Sequence, residues 1–373
     1  MKIQAIELRR ISLPLVTPFR TSQFTEYERN LLIVALHTDI GVGWSECSAD
    51  DEPVYWSEYQ DGAVDVITKI LGPALLRAGD ITPALVEQIL APYKGHRTSK
   101  CALEAAVLDV WCRNAGISLS DHLGAVRTAV PVGVSVAIED TVEQLLDRVD
   151  GYLQDGYARI KLKIEPGRDV EVVRAVRTHV GNDVMLQVDG NGAYSLADAQ
   201  HLTRLDEFGL TLVEQPLAFD DLRAHAALAG MMRTPICLDE SIVSLRAAAD
   251  AIAMGACRVI NIKPCRVGGY LESRRIHDLC LGNDVPVWCG GMLESGLGRA
   301  ANLALAGLPG FTLPGDISAT DRYFAEDVTR PFVLSGSTIE LPTGPGLGVQ
   351  PDMAALGRFT NWHRTIRPEG IDA

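Results

Sequence analysis

Three acids, each placed just after a short apolar run rich in β-forming residues, constrain this chain more than any other feature. Met185-Leu186-Gln187-Val188 leads into Asp189, Leu210-Thr211-Leu212-Val213 into Glu214, and Ile236-Cys237-Leu238 into Asp239, with 25 residues from each acid to the next. That interval accommodates one strand, one helix and their connections, so three consecutive units bring a carboxylate to the same place. In a ring of parallel strands this place is the mouth at the carboxyl ends, where such barrels keep their chemistry. A single acid there is commonly an N-cap or a solvated loop charge. Three independent caps have no reason to recur at one interval. Converging carboxylates repel one another unless a cation lies among them, and an all-oxygen donor set points to Mg2+ or Mn2+ rather than zinc.

The remaining pattern supplies the other strands. From Pro131 onward, strand-like runs at 132–136, 159–164, 184–188, 210–213, 236–238, 259–263 and 285–288, and a weaker one before Asp316, alternate with helix starts. Thr141 with Gln144 has capping-box spacing, and Ser195 and Ser244 open further helices. Eight runs in one alternating series predict a parallel α/β barrel. The first part of the chain follows a different grammar. Runs at 3–15, 31–38 and 42–47, the last two joined at Asp39-Ile40-Gly41, predict an antiparallel meander, and 57–116 turns helical up to a C-terminal cap at Gly116. Between the first two runs, the polar stretch from Thr17 through Gln23 to Phe24 reads as a surface loop long enough to serve as a lid. We therefore expect an α+β lobe over 1–125, a barrel over 126–319, and a proline-broken tail over 320–373 that returns to the first lobe.

Lysines complete the site expected from the residues. Lys161 and Lys163 are two apart on one strand and so face the same way, into the barrel, while Lys263 ends the sixth strand. In a ring of eight, the second and sixth strands are opposed. Lys163 and Lys263 should then face each other across the mouth, with the three acids on one arc between them. Burial lowers an ammonium toward the range useful to a base. The competing reading makes these lysines plain counter-charges to the acids.

Composition excludes several classes. Lys+Arg 34 against Asp+Glu 48 gives a net charge of −14, which argues against a nucleic-acid partner. No apolar run approaches the ~18 residues of a membrane span, and the first residues lack the apolar stretch of a signal peptide, so a cytoplasmic protein is expected. The 8 cysteines lie mostly in apolar runs with no C-x-x-C pair, which predicts reduced core residues. Gly296-Leu-Gly298-Arg-Ala-Ala301 mimics a dinucleotide fingerprint but lacks its later ribose-binding acid.

With these residues in view, the chain resembles the enolase superfamily, in its muconate-lactonising-enzyme subgroup. The matching pieces are Lys161-Leu-Lys163, Asp189-Gly-Asn191, Glu214-Gln-Pro216, Asp239-Glu240-Ser241, Asn261-Ile-Lys263-Pro264 and Gly290-Gly291-Met292, and the resemblance runs nearly end to end. It implies an α/β fold, a modified TIM barrel of (β/α)7β type under an α+β capping domain. It also implies Asp189, Glu214 and Asp239 as ligands of Mg2+ (or Mn2+), and Lys163 and Lys263 as the acid/base pair. Ser135, Lys161, Asn191, Gly291 and Met292 would line the substrate site, and Phe19 and Tyr323 would close over it. Cys265 stands where such a family carries glycine. The chemistry implied is removal of a proton next to a carboxylate, a superfamily reaction that uses a Lys or His base with Mg2+.

Gly290-Gly-Met-Leu-Glu-Ser-Gly296 and Asp316-Ile-Ser-Ala-Thr-Asp-Arg322 resemble the branch that forms o-succinylbenzoate by dehydration and racemises N-succinyl or other N-acyl amino acids. The alternatives are a dipeptide epimerase or a muconate cycloisomerase, and, from another class, a metal barrel that binds a carboxylate without turning it over. Dipeptide epimerases carry Asp-x-Asp on the last strand, which Asp316-Ile317-Ser318 breaks. The expected partner is a small-molecule carboxylate, and a homo-oligomer is expected.

Overall fold

The structure is a computed structural model that describes residues 1–22, 24–368 and 370–372; Gln23, in the expected lid, lies outside the described residues. The chain opens with three antiparallel strands, β1 (Ile3–Arg20), β2 (Thr25–Thr38) and β3 (Gly41–Cys47). The middle of β2, Leu31 to Leu36, is an unbroken apolar run with every residue buried. Such a run requires cover on both faces. Leu32, Val34 and Leu36 pack with Ala102, Leu103, Ala106 and Val107 of the helix Arg97–Ala115, while Leu31 and Ile33 belong to the core shared with the barrel. The strand period of two thus divides one sequence run between two cores. Each such side chain contributes about 1.5–3 kcal/mol relative to exposure.

Half of the stretch expected as a loop between 17 and 24, residues 17–20, continues β1 as strand. After a register shift beyond Pro14, pairing resumes at Phe19↔Glu26 and Arg20↔Thr25, and the chain reverses at a turn where the Thr21 amide donates to the Phe24 carbonyl at 2.9 Å. Polarity misled because backbone pairing together with buried Phe19 is enough to extend the strand through otherwise polar residues.

β4 (Ala129–Pro131) leads into seven parallel strands: β5 (Val134–Val136), β6 (Arg159–Lys163), β7 (Met185–Asp189), β8 (Val213–Glu214), β9 (Ile236–Leu238), β10 (Val259–Ile262) and β11 (Val287–Cys289). They form one sheet in sequence order. Helices Val142–Asp155, Val170–Val180, Leu222–Met231, Leu245–Ala253, Tyr270–Leu281 and Gly296–Ala306 lie between or after them. The Thr141–Gln144 capping box, the Ser244 cap and the Ser195–Asp198 box are all formed, the last opening a mixed 3-10 and α-helical run over Leu196–Phe208. The expected eighth strand is a bridge segment. Phe311 pairs with Val287 and Gly315 with Val132, the Asp316 amide donates to Cys289 at 2.9 Å, and Gly133 donates to Gly315 at 2.8 Å. These contacts close the ring between β11 and β5. Fully buried Trp288 fills the interior below the mouth, its indole N–H toward Cys237 Sγ at 3.3 Å.

The tail adds β12 (Thr338–Glu340), paired with β4, and then β13 (Thr360–Arg367), which joins the first sheet beside β1, with β14 (Gly370–Asp372) on its outer edge. All 8 cysteines are free and buried. Among the described residues no helix is long and apolar enough to cross a membrane.

Candidate active site

The acids end adjacent strands because β7, β8 and β9 follow one another in the sheet. Asp189 is the direct register partner of Lys163 on one side and of Glu214 on the other, and Asp239 follows the end of β9. All three are at most 1% exposed. Charges buried this deeply must be paired. Lys161 Nζ lies 2.9 Å from Glu214, 3.4 Å from Asp189 and 2.5 Å from Asp316. Lys163 Nζ donates to Asp189 Oδ2 and to Asn191 Oδ1, each at 2.7 Å. Lys263 Nζ donates to Asp239 Oδ2 at 2.9 Å and to the Tyr55 hydroxyl at 2.6 Å, and lies 3.7 Å from Met292 Sδ. Arg266 pairs with the other oxygen of Asp239.

This charge lattice sets the protonation preferences. Burial alone would lower the Lys161 ammonium, but Asp316, Glu214 and Asp189 together outweigh it and hold the group well above its ordinary range. The expectation that a barrel lysine drifts toward a base therefore fails for Lys161, which is a fixed positive charge. Burial raises the Asp189 carboxyl, yet Lys163 and Lys161 more than reverse this and bring it down to about 2. Glu240 goes the other way, pushed up to about 7 by burial and by the Asp189 charge, while Asn191 Nδ2 donates to it at 2.9 Å.

A cavity of about 60 Å³ opens over these groups, lined by Lys163 and Lys263 together with Asn191, Gly291, Met292, Leu293, Tyr55 and Phe19. Lys161 and Ser135 sit below it. Ser135 donates to Asp316 at 3.0 Å, and Lys161 lies over the Trp288 ring at 4.8 Å. Tyr323 stands behind Phe19, ring edge to ring face at 6.2 Å, rather than in the cavity wall. Close approach explains Gly290: a Cβ there would run into Asn261 and the Lys263 stem. Cys265 needs no glycine. It sits in the helical turn Pro264–Val267 without a positive φ, and the two glycines that follow take the left-handed positions instead.

Two members of this charge lattice, Tyr55 and Arg266, escaped the sequence reading, and two more, Asp316 and Asn261, entered it only as motif residues. Tyr55 comes from the loop between β3 and the first helix, 184 residues from Asp239, to which its hydroxyl donates at 2.6 Å. No local pattern marks such a residue. Arg266 had a signal, since three residues after Lys263 a first-turn side chain can fold back over the strand end. Asp316 was read for its motif, yet its oxygens are taken by Arg159 at 2.7 Å as well as by Lys161. Asn261 donates to Glu214 at 2.8 Å from inside β10.

Comparison with known proteins agrees with this arrangement. Residues 144–355 match the family model described as enolase C-terminal domain-like, more than half of the chain. The chain belongs to the enolase superfamily. It is 61% identical to an N-succinylamino acid racemase from Amycolatopsis sp., over 96% of this chain and 98% of that protein. It is 43% identical to the o-succinylbenzoate synthase of Geobacillus kaustophilus, over 98% of this chain and 99% of that one. Among solved structures, an enolase-superfamily member from Listeria innocua superposes with a TM-score of 0.95 at 37% identity, covering 99% of this chain and 100% of its own. A dipeptide epimerase from Cytophaga hutchinsonii, solved with Mg and the dipeptide D-Ala-L-Val, superposes with a TM-score of 0.90 at 26% identity, over 98% and 100% of the two chains.

The donor set fits a hard divalent cation. Among the described residues no three acids close on one point by themselves, because the lysines stand between them. The donors are nonetheless carboxylate oxygens on neighbouring strands. Two further buried acceptors at the same mouth, Glu240 Oε2 and Asn261 Oδ1, have no hydrogen-bond donor, as in a site short of positive charge.

Proposed function

We propose that this enzyme removes the proton α to a carboxylate, racemising N-succinyl and other N-acyl amino acids and forming o-succinylbenzoate by dehydration. The observation that carries the reading is the cavity walled by Lys163 from β6 and Lys263 just beyond β10, strands four positions apart in the sheet. Asp189, Glu214 and Asp239 would hold Mg2+ or Mn2+. When bound, such an ion polarises the substrate carboxylate and offsets the charge that develops on it.

The chain's own residues supply the rest. For racemisation, one lysine takes the α-proton as an amine and the other returns a proton to the opposite face as an ammonium, so the two must be in opposite protonation states at the start. Lys263 is held close to Asp239 and against the Tyr55 ring at 4.7 Å. Lys161 stays charged throughout and adds fixed positive potential beside the reacting carboxylate. For dehydration, Lys163 takes the proton and then delivers it to the departing hydroxyl, while Lys263 supplies charge. Asn191, Gly291 and Met292 position the substrate, and Phe19 covers it. A free substrate ammonium would find no partner at the end of the barrel, because Asp316 is spent on Arg159 and Lys161, and Ser318 is fully buried and donates to Gly133 at 3.1 Å. N-acylated substrates are therefore preferred over dipeptides. The eight buried free thiols suit a reducing, cytoplasmic setting.

The test is proton NMR in D2O of each enantiomer of an N-succinylamino acid with Lys163→Ala and Lys263→Ala. Both variants should lose racemisation, and each should still exchange the α-proton of one enantiomer, a different one in each case. Exchange of the same enantiomer by both variants removes the two-base assignment.

A further inference from the structure

A separate cleft, of about 340 Å³, is lined by Val16, Arg148, Tyr152, Asp155, Asp321 and Arg322 among others. Arg322 is the unusual member. It is only 8% exposed, yet among the described residues no carboxylate lies within ion-pair distance of it. Its guanidinium instead rests among three rings, Tyr323 at 4.7 Å, Tyr152 at 4.9 Å and Phe19 at 5.9 Å, and donates through Nη2 to the Ser135 carbonyl at 3.0 Å. Its Nε is buried without a partner. A guanidinium has five N–H donors, and buried ones are ordinarily matched by an anion. Ring faces offset part of the desolvation cost but accept no in-plane hydrogen bond.

The other lining groups narrow the chemistry. Arg148 adds a second, half-exposed cation, held on Glu139 at 3.3 Å. Asp155 and Asp321 bring two exposed acids, and Val16, Val333 and Leu334 an apolar wall. A simple dianion would meet the two acids, and a simple cation would meet the two arginines. We propose that this cleft binds a free α-amino acid with an apolar side chain, its carboxylate toward Arg322 and Arg148, its ammonium toward Asp155 and Asp321. Because Arg322 also contacts Phe19, which walls the catalytic cavity, occupancy shifts the KM of the acylated substrate.

Calorimetric titration of the full-length protein with L-leucine tests this, alongside 4-methylpentanoate, which lacks the ammonium, and L-leucinamide, which lacks the carboxylate. L-Leucine should bind, and both analogues should bind about ten-fold more weakly or not at all. Arg148→Gln and Asp155→Asn alter exposed residues outside the catalytic cavity. Each should weaken L-leucine to a similar degree, with KM in the absence of leucine unchanged and the leucine-dependent shift in KM lost. No L-leucine binding to the parent protein, equal binding of either analogue, or binding indifferent to both substitutions overturns the proposal. This outcome is independent of the D2O exchange experiment, which reads only the catalytic lysines.

Discussion

Tyr55 shows how much one side chain can tie together. Its hydroxyl donates to Asp239 and accepts from Lys263, and its ring lies beneath the same ammonium, so one residue from the loop after β3 holds both a candidate ligand and a candidate base. Burial raises its own hydroxyl well above the usual range, so it serves as a neutral donor. Tyr55→Phe keeps the ring and deletes the hydroxyl. We expect kcat/KM to fall roughly ten-fold, the scale of about 1.4 kcal/mol for one buried hydrogen bond to charged partners. The split between kinetic parameters separates this role from mere packing: loss of the hydroxyl should lower kcat with KM little changed, whereas loss of a packing contact in the cavity wall should raise KM.

Among the elements, the helix Arg97–Ala115 and the helix Tyr270–Leu281 are joined by Glu104, which accepts from the Tyr270 and Leu271 amides at the latter's N-terminus. Burial dominates there and pushes the carboxyl up to about 8, above the unfolded value near 4.5, in spite of those two donors. The folded protein therefore holds a proton that the unfolded chain releases between these values. Stability falls as pH rises from about 4.5 to about 8 and is flat above. Glu104→Gln cannot ionise, so in urea titrations it should lose less stability than the parent between pH 5 and pH 9, by up to a few kcal/mol. Equal pH dependence of the two proteins would remove Glu104 from the account. Across the barrel, Gly290→Ala should abolish turnover while leaving the far-ultraviolet circular dichroism intact, because the added methyl displaces Asn261 and Lys263 rather than the strand.

For the whole molecule, the buried charges at the mouth rest on a filled barrel. Trp288 lies under Arg159 at 5.3 Å and Lys161 at 4.8 Å, with no exposed surface. Trp288→Ala should cost about 3–5 kcal/mol in chemical denaturation, since the cavity it leaves is walled by β-strands that cannot collapse. Chelator treatment followed by gel filtration should abolish activity, with restoration by Mg2+ or Mn2+. Full activity without added ion would remove Asp189, Glu214 and Asp239 from their proposed role. Comparison of kcat/KM for an N-succinylamino acid and an Ala-Xaa dipeptide should favour the former, and the reverse preference would overturn the substrate assignment.

The alternation of strands and helices, the caps at Thr141 and Ser244, the end of the helix at Gly116 and the interval between the three acids were all legible because each depends on neighbours within a few residues. A side-chain period or a capping hydrogen bond is local physics. Placement of the three acids on one arc also followed, since consecutive parallel strands lie side by side. What the sequence could not supply were the contacts that cross the molecule. The tip of the first hairpin over the mouth, Tyr55 on Asp239, Arg159 and Lys161 on Asp316, and the unpaired Arg322 among three rings join segments far apart in the chain. Their partners are chosen by which buried charge has room and no water, and so by the packed structure alone. The lysines make the point most sharply: spacing placed all three in the barrel, but only the packed structure sets Lys161 among three carboxylates, which hold it as a fixed charge, while Lys163 and Lys263 each meet one.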